Sequence, residues 1–254
     1  MGLTTAPSVA PIADLKTPVH LRTNNPAATM EATPPDGQPF PLNEPGGMPF
    51  NDSTTTAEKI ASLQKAIAFL EVSNPKHTRY TPADGKTFCN IYAYDLAYLM
   101  GRSINQYYSP RVWWTGAAGA GITAGVPQTP IADVTLQEMT ANALHDWFAG
   151  FGGNFGWTQQ TDLTTLQQIV NTTGDIGVIV GKKAVGHGHI TIVVPESAVD
   201  PGSLVTAVRT AGKVTNPLQS QAGASNFEFG HSFIGGLPWF TTDGHVSSFY
   251  SFGG

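Results

Sequence analysis

The apolar and polar positions divide the chain into a helical part and a later strand-rich part. Up to Gly174 the apolar residues recur with the three- and four-residue spacing of helices, and beyond it they alternate with a period of two. The helical spacing predicts four helices, over residues 55–72, 87–100, 136–149 and 162–172. The alternation predicts strands at 176–181 and 189–195, and strand-like segments within 204–210, 216–223, 226–233 and 246–252. Helices followed by a meander of strands predict an α+β domain, with N-terminal helices packed on an antiparallel β-sheet.

The predicted helix ends carry capping signals. Two pairs match the S/T-x-x-E box, which satisfies backbone N–H groups of a first helical turn: Thr55 with Glu58, and Thr135 with Glu138. Gly101 and Gly174 stand where the second and fourth helices should stop, because glycine adopts the left-handed C-terminal cap at little cost. The glycine-rich segment 150–157 predicts a turn between the third and fourth helices.

Residues 1–52 differ in composition from the rest of the chain. They are rich in Pro, Thr, Ala, Gly and Asn, and residues 31–52 alone contain six prolines. This composition predicts an extended arm or linker, either packed on the following domain or mobile. We expect residues 53–254 to form one domain, because the chain is long enough to bury a sizeable core.

The chain carries little charge. Charged residues make up 12% of the sequence, about half the usual fraction of roughly 25%, and the net charge is -5. This balance provides no basic patch for a nucleic acid or an anionic lipid, so we expect neither as a partner. No run of about 18 apolar residues occurs, so no membrane-spanning helix is predicted.

The beginning of the sequence, MGLTTAPSVAPIADLK, lacks the basic start and the apolar run of a Sec signal peptide. We therefore expect synthesis in the cytosol, with delivery by another route if the protein acts outside the cell. A single cysteine excludes an intramolecular disulfide and a cysteine-rich zinc site.

That cysteine, Cys89, falls in the first turn of the helix predicted over residues 87–100. The positive end of a helix dipole lowers the pKa of a thiol placed there and favours the nucleophilic thiolate. An imidazole beside the thiol would complete a catalytic pair. The alternative is that Cys89 is a small buried residue on the core side of the helix.

Two histidines, His187 and His189, lie in the segment GKKAVGHGHITIVVPE. His189 opens the strand predicted over residues 189–195, and the alternation of that strand places it on the face opposite Ile190. A histidine at the start of a core strand can reach the N-terminus of a helix packed over the sheet. The alternative is that a glycine-rich loop exposes both histidines to solvent.

The H-x-H spacing of these histidines also suggests a pair of metal ligands. A zinc hydrolase site needs a third ligand, yet none of the seven histidines is followed by Asp four residues later, and no H-E-x-x-H occurs. The sequence contains neither the G-x-S-x-G elbow of serine hydrolases nor a G-x-G-x-x-G phosphate loop. No spacing supports a metal or a bound cofactor, and we expect neither.

Four segments carry a resemblance to a known family: TFCNIYAYDLAYLMG (87–101), YYSPRVWW (107–114), TTGDIGVIVGKK (172–183) and GHITIV (188–193). Together they resemble the NlpC-type cell-wall peptidases of the papain-like superfamily, in which a cysteine opens a helix and a histidine opens a later strand. The resemblance implies a papain-like cysteine hydrolase domain over residues 53–254, with a helical insertion around 133–172.

The resemblance also implies roles for individual residues. Cys89 would be the nucleophile, and His189 its partner in a thiolate–imidazolium pair. A third polar residue from the next strand would orient His189. The candidates are Gln219, Gln221 and Asn226, and we favour Gln221. Substrate contacts are expected from Tyr80, as an oxyanion donor beside the backbone N–H of Cys89, and from Arg111, Trp113, Trp114 and His187.

The implied function is cleavage of peptidoglycan stem peptides by a cysteine amidase or endopeptidase, through an acyl-enzyme, in a bacteriolytic effector or a phage lysin. Such a protein would leave the cytosol by a dedicated secretion system or by phage lysis and would act in the periplasm or cell wall. We expect a monomer, and for an effector a cognate immunity protein as partner. Two alternatives stay open: a non-enzymatic secreted or phage structural or binding protein, and a papain-like protease or deamidase acting on host proteins.

Overall fold

The structure is a computed structural model that describes residues 42, 48–75, 77, 79–83, 85–102, 139–199 and 203–253. The helices in this part of the chain are α1 (Thr56–Leu70), α2 (Cys89–Leu99), α3 (Ala141–Phe151) and α4 (Leu163–Thr173). The strands are β1 (Trp157–Gln160), β2 (Gly177–Lys183), β3 (His189–Val193), β4 (Val208–Thr210), β5 (Lys213–Asn216), β6 (Gln219–Gln221), β7 (Phe227–Gly230), β8 (Phe233–Ile234), β9 (Leu237–Pro238) and β10 (His245–Phe252).

Six of these strands form one sheet in the order β1-β10-β2-β3-β6-β7, and every neighbouring pair in it is antiparallel. Two short ribbons, β4–β5 and β8–β9, stand apart from this sheet. The predicted α+β class is therefore confirmed as a mixture of helices and an antiparallel sheet.

The central strands bury different residues on the two faces of the sheet. On one face, Ile190 and Ile192 of β3 belong to the main core, together with the residues of α2 and α3. On the other face, Val193 packs with α4 and with Trp239. We call these the α2 face and the Trp239 face. Helices therefore lie on both sides of the sheet, which the division into a helical and a strand-rich part did not predict.

Two helix ends match their sequence signals. Thr55 and Glu58 form the predicted capping box, since each side chain accepts a hydrogen bond from the backbone N–H of the other, at 3.4 Å in both cases. Helix α4 ends at Gly174, which adopts φ +68°. A side chain at Gly174 would also meet the backbone oxygen of Thr56 at 2.5 Å, so this glycine is required by packing as well as by conformation.

The start of α3 differs from its prediction. The helix begins at Ala141 rather than at residue 136, because Thr140 has an extended backbone and its hydroxyl accepts from the N–H of Ala143 at 3.2 Å. The pair proposed as a capping box, Thr135 and Glu138, lies outside the described residues.

The segment around 133–172, predicted as a helical insertion, also contributes a strand. Strand β1 begins at Trp157, where the predicted glycine-rich turn was expected to end. It pairs with β10 from Trp157↔Phe252 to Gln160↔Phe249 and forms one edge of the sheet. Four residues, WTQQ, are too short to show a period, and the strand is defined by its pairing with β10.

The described part of the predicted N-terminal arm packs on the domain. Leu42 is 1% exposed and belongs to the main core. Further along, the backbone N–H of Asn51 donates to the carbonyl oxygen of Leu99 at 2.7 Å, at the end of α2. These contacts favour the packed alternative for residues next to the predicted boundary at 52.

Candidate functional site

The clearest polar arrangement at the predicted site is a hydrogen bond between His189 and Gln221. It joins Nε2 of the imidazole to Oε1 of the amide at 2.8 Å. The amide nitrogen of Gln221 donates to the carbonyl oxygen of Ser225 at 2.9 Å, so its oxygen is the atom turned towards the ring. An oxygen accepts, and Nε2 must therefore carry the hydrogen. This network leaves the lone pair of neutral His189 on Nδ1.

The register of the sheet produces this pair. Strand β3 pairs with β6 through Ile192↔Ser220, and continuing that register places Gly223 opposite His189. A side chain at Gly223 would lie 3.3 Å from Cε1 of His189 and 3.1 Å from the amide nitrogen of Gln221. The absence of a Cβ at this position therefore leaves room for the imidazole beside its partner.

Trp239 covers the other side of the His189 ring. The two rings meet edge to face, with centroids 4.7 Å apart. The indole is fully buried, and its Nε1–H donates to the side-chain oxygen of Gln219 at 3.2 Å. A side chain at Gly181 would come within 2.7 Å of the indole, so glycine at this position makes space for it.

This environment determines the charge of His189. Burial lowers the pKa of His189 to about 4, and the hydrogen bond that His189 donates to Gln221 opposes that shift only in part. The imidazole is therefore neutral at neutral pH. Burial disfavours the charged ring that the predicted thiolate–imidazolium pair requires, and that pair stays a prediction.

Cys89 is the first residue of α2, close to the predicted start of that helix. It is 5% exposed and belongs to the main core on the α2 face. All residues of α2 except Tyr98 are buried, so the helix lies inside the domain rather than on its surface. The burial of Cys89 is thus shared by the whole helix.

Helix α2 begins at the end of the sheet where β3 begins. The side chain of Asn90 donates to the carbonyl oxygen of Met139 at 3.0 Å, just before α3. In the first turn of α3, Asn142 donates to the carbonyl oxygen of Gly186 at 3.1 Å, in the loop that leads to His189. These two contacts place the first turn of α2 and the start of β3 at the same end of the sheet.

Cys89 and His189 nevertheless lie on different faces. Cys89 belongs to the α2 face, whereas His189 contacts Trp239 on the other. A contact between the thiol and Nδ1 of the imidazole has to pass around the end of β3 rather than across the sheet. The position of His189 as the first residue of the strand is compatible with that path.

Asn226 connects the segment before α2 with the loop after β6. Its amide nitrogen donates to the carbonyl oxygens of Val72, at 3.0 Å, and Tyr80, at 2.9 Å. Its amide oxygen accepts from the backbone N–H of Gly223 at 2.8 Å. Asn226 thereby fixes the loop that holds Gln221 against the chain that leads to Cys89.

The predicted role of Tyr80 as an oxyanion donor does not fit its surroundings. Tyr80 is fully buried, and its hydroxyl donates to a carboxylate oxygen of Asp95 at 2.7 Å. Arg79 binds the same carboxylate through two nitrogens, at 2.6 and 2.9 Å. The hydroxyl proton of Tyr80 is therefore engaged in a core ion-pair network, and we do not retain this residue in the site.

The other predicted substrate contacts have different outcomes. His187 is exposed in the loop between β2 and β3. Arg111, Trp113 and Trp114 lie outside the described residues. The sequence analysis did not predict a role for Trp239. Its contact with His189 joins residues far apart in the chain, and no periodic pattern surrounds this tryptophan in its glycine- and proline-rich stretch.

Within the described part of the chain, no group of three or more His, Cys, Asp or Glu side chains is arranged to hold a metal ion. None of the described helices has both the length and the apolar character needed to cross a membrane. Comparison of the sequence with protein-family models gave no match, and comparison with curated proteins also gave none.

Proposed function

We propose that this protein is a papain-like cysteine hydrolase that cleaves amide bonds in peptidoglycan stem peptides, with Cys89 as the nucleophile. The observation that carries the proposal is the hydrogen bond between His189 and Gln221, in which the orientation of the amide leaves Nδ1 of the imidazole as a base. Its place of action would be the periplasm or the cell wall.

The neutral state of His189 shapes the proposed mechanism. As the sulfur of Cys89 attacks the amide carbonyl, Nδ1 of His189 accepts the thiol proton, so charge appears only during the reaction. The first turn of α2 presents the positive end of the helix dipole to the developing oxyanion. The imidazolium then protonates the leaving amine, which leaves a thioester on Cys89.

Water completes the reaction. His189 accepts a proton from a water molecule that attacks the thioester, and the same proton returns to the sulfur as the carboxylic acid product leaves. Gln221 keeps Nδ1 directed towards the reacting atoms in both halves by accepting from Nε2. Without that partner, the ring could flip and present the wrong nitrogen.

Digestion of purified sacculi tests this function. We compare the wild-type protein with Cys89→Ala and His189→Ala, and identify the released muropeptides by mass spectrometry. Val185→Ala, at a position that is 90% exposed in the loop before His189, is the control. We expect release by the wild type and by Val185→Ala, and none by the two site variants. Release by Cys89→Ala at the wild-type rate would exclude Cys89 as the nucleophile.

One observation favours a second candidate, a non-enzymatic binding or structural protein. Cys89 is 5% exposed and packs on the face of the sheet away from His189, as a structural cysteine would. For this candidate, iodoacetamide should modify Cys89 only after denaturation, and sacculi should bind the protein without releasing fragments. Alkylation of native Cys89 that depends on His189 would exclude it.

A further inference from the structure

We propose that Lys183 and His245 form a carboxylate-binding subsite beside His189, which selects peptides with a free carboxylate about two to three residues from the cleaved bond. This inference rests on the proposed function, because it assigns the substrate preference of the same site. The ligand class is a short peptide whose carboxylate is ionised at neutral pH.

The sheet places these residues together. Strand β10 pairs with β2 so that His245 lies opposite Lys183, and β2 pairs with β3 so that Gly181 lies opposite His189. Alternate residues of a strand share a face, and opposite residues of paired strands do as well. Lys183, His245 and His189 therefore project from the Trp239 face at the same end of the sheet.

Trp239 lies between the two imidazoles. Its ring centroid is 4.7 Å from that of His189 and 5.5 Å from that of His245, and both contacts are edge to face. The indole is fully buried, so it holds the two imidazoles in place and is not itself a contact surface for the peptide. Its contacts with both rings fix the separation between the proposed catalytic base and the proposed subsite.

Hydrogen bonds orient His245. The hydroxyl of Thr242 donates to the carbonyl oxygen of Trp239 at 2.7 Å, so the hydroxyl oxygen accepts from Nδ1 of His245 at 2.9 Å. Nδ1 therefore carries a hydrogen in the neutral ring. When His245 is protonated, the added hydrogen is on Nε2, the nitrogen directed away from Thr242, where it can donate to a ligand.

Lys183 supplies an unneutralised charge. The preceding residue, Lys182, points to the α2 face and forms an ion pair with Asp146. Lys183 has no carboxylate partner among the described residues, although it is only partly exposed. The acidic residue nearest to His245 in the sequence, Asp243, is exposed in the turn before β10. A carboxylate held between Lys183 and His245 would form charge-assisted hydrogen bonds with both.

The spacing of the strands gives the reach of the subsite. Adjacent strands are about 4.8 Å apart, so β10 and β3, which flank β2, are roughly 10 Å apart. An extended peptide advances about 3.3–3.6 Å per residue. A carboxylate at Lys183 and His245 therefore lies about two to three residues from an amide bond held near His189.

The ionisation of His245 offers a direct assay. Burial lowers the pKa of His245, and the neighbouring charge of Lys183 lowers it further. A bound carboxylate should offset that charge and raise the pKa. We would follow the ring resonances of His245 by NMR during a pH titration of the Cys89→Ala variant, which separates binding from cleavage.

The probes are N-acetyl-D-alanyl-D-alanine and the same dipeptide with an amidated C-terminus. The free carboxylate should raise the pKa of His245 by about one unit, a tenfold change in proton affinity, and the amide should leave it unchanged. In the Cys89→Ala background, Lys183→Met should abolish the response, and the matched control Lys182→Met should keep it.

Equal responses to both probes, no response to either, or an unchanged response in the Lys183→Met background would overturn the subsite. Each of these results would leave hydrolysis by Cys89 standing. Conversely, sacculi could stay intact while the carboxylate probe raises the pKa of His245 as expected. In that case the subsite stands and the proposed hydrolysis fails.

Discussion

Replacing His189 by glutamine should reduce the acid sensitivity of the fold. Burial lowers the pKa of His189 to about 4 from its ordinary value of 6.5. Between those two values the unfolded chain binds a proton that the folded chain does not bind. The free energy of unfolding therefore decreases as the pH falls through this window, and the contribution of His189 is fully present only above it.

The size of this effect follows from the difference in bound protons. Integration from pH 7 to pH 5 gives a loss of about 2 kcal/mol for a ring wholly removed from water. Because the side chain of His189 is half-buried, we expect about 1–2 kcal/mol. Below the folded-state value both forms of the chain bind the proton, and His189 contributes no further loss.

Urea unfolding at pH 7, 6 and 5, followed by tryptophan fluorescence, measures this loss. His189→Gln keeps an amide that can hydrogen bond with Gln221 but removes the titrating group, so the variant should lose about 1–2 kcal/mol less than the wild type over this range. His187→Gln, at an exposed position two residues away, should behave as the wild type does. Equal pH dependence in His189→Gln and the wild type would refute the assignment of a neutral, buried imidazole.

Three further substitutions test the surroundings of the site. Asn226→Ala removes two hydrogen bonds from the loop after β6 to the segment before α2 and one within that loop. The free energy of unfolding should therefore fall by about 1–3 kcal/mol, and kcat for muropeptide release should fall more than KM changes. Trp239→Phe removes the hydrogen-bond donor to Gln219 and part of the side chain that packs on His189. The pKa of His189, measured by NMR titration, should then rise towards 6.5. An unchanged pKa would show that the indole does not exclude water from the imidazole. Asp95→Asn leaves the buried guanidinium of Arg79 without its carboxylate. The free energy of unfolding, measured with heat or urea, should fall by about 3–5 kcal/mol. A decrease below about 1 kcal/mol would contradict the buried ion pair.

The elements that the sequence predicted are those with a strong local signal. Helices α1 and α4 carry regular apolar stripes and capping residues, and β2 and β3 are short runs rich in β-branched residues, so these four could be assigned from local pattern alone. Strand β1 could not, because its four residues are stabilised by β10, far along the chain. The start of α3 was misplaced because Thr140, rather than Thr135, supplies the cap.

The residues of the candidate site also include some that local pattern could predict and some that depend on tertiary packing. A partner for His189 on the next strand could be predicted, since residues of one face recur at every second position, and Gln221 is in contact with it. The alternation also showed that His189 lies opposite Ile190. The alternation of the strand could not show which of those faces α2 covers, because the position of a helix on a sheet depends on tertiary packing. The placement of Cys89 and His189 on different faces was therefore seen only in the structure.

The central claim is that Cys89 and His189 act together although they lie on different faces of the sheet. A crystal structure of the protein with a stem-peptide aldehyde tests it most directly, since the aldehyde carbon bonds to a catalytic sulfur and mimics the tetrahedral intermediate. The account predicts a bond to the sulfur of Cys89 and Nδ1 of His189 within about 3–4 Å of it, with Gln221 still bound to Nε2. An unmodified Cys89, or an imidazole that remains on the Trp239 face beyond the reach of a hydrogen bond or a bridging water, would contradict the account.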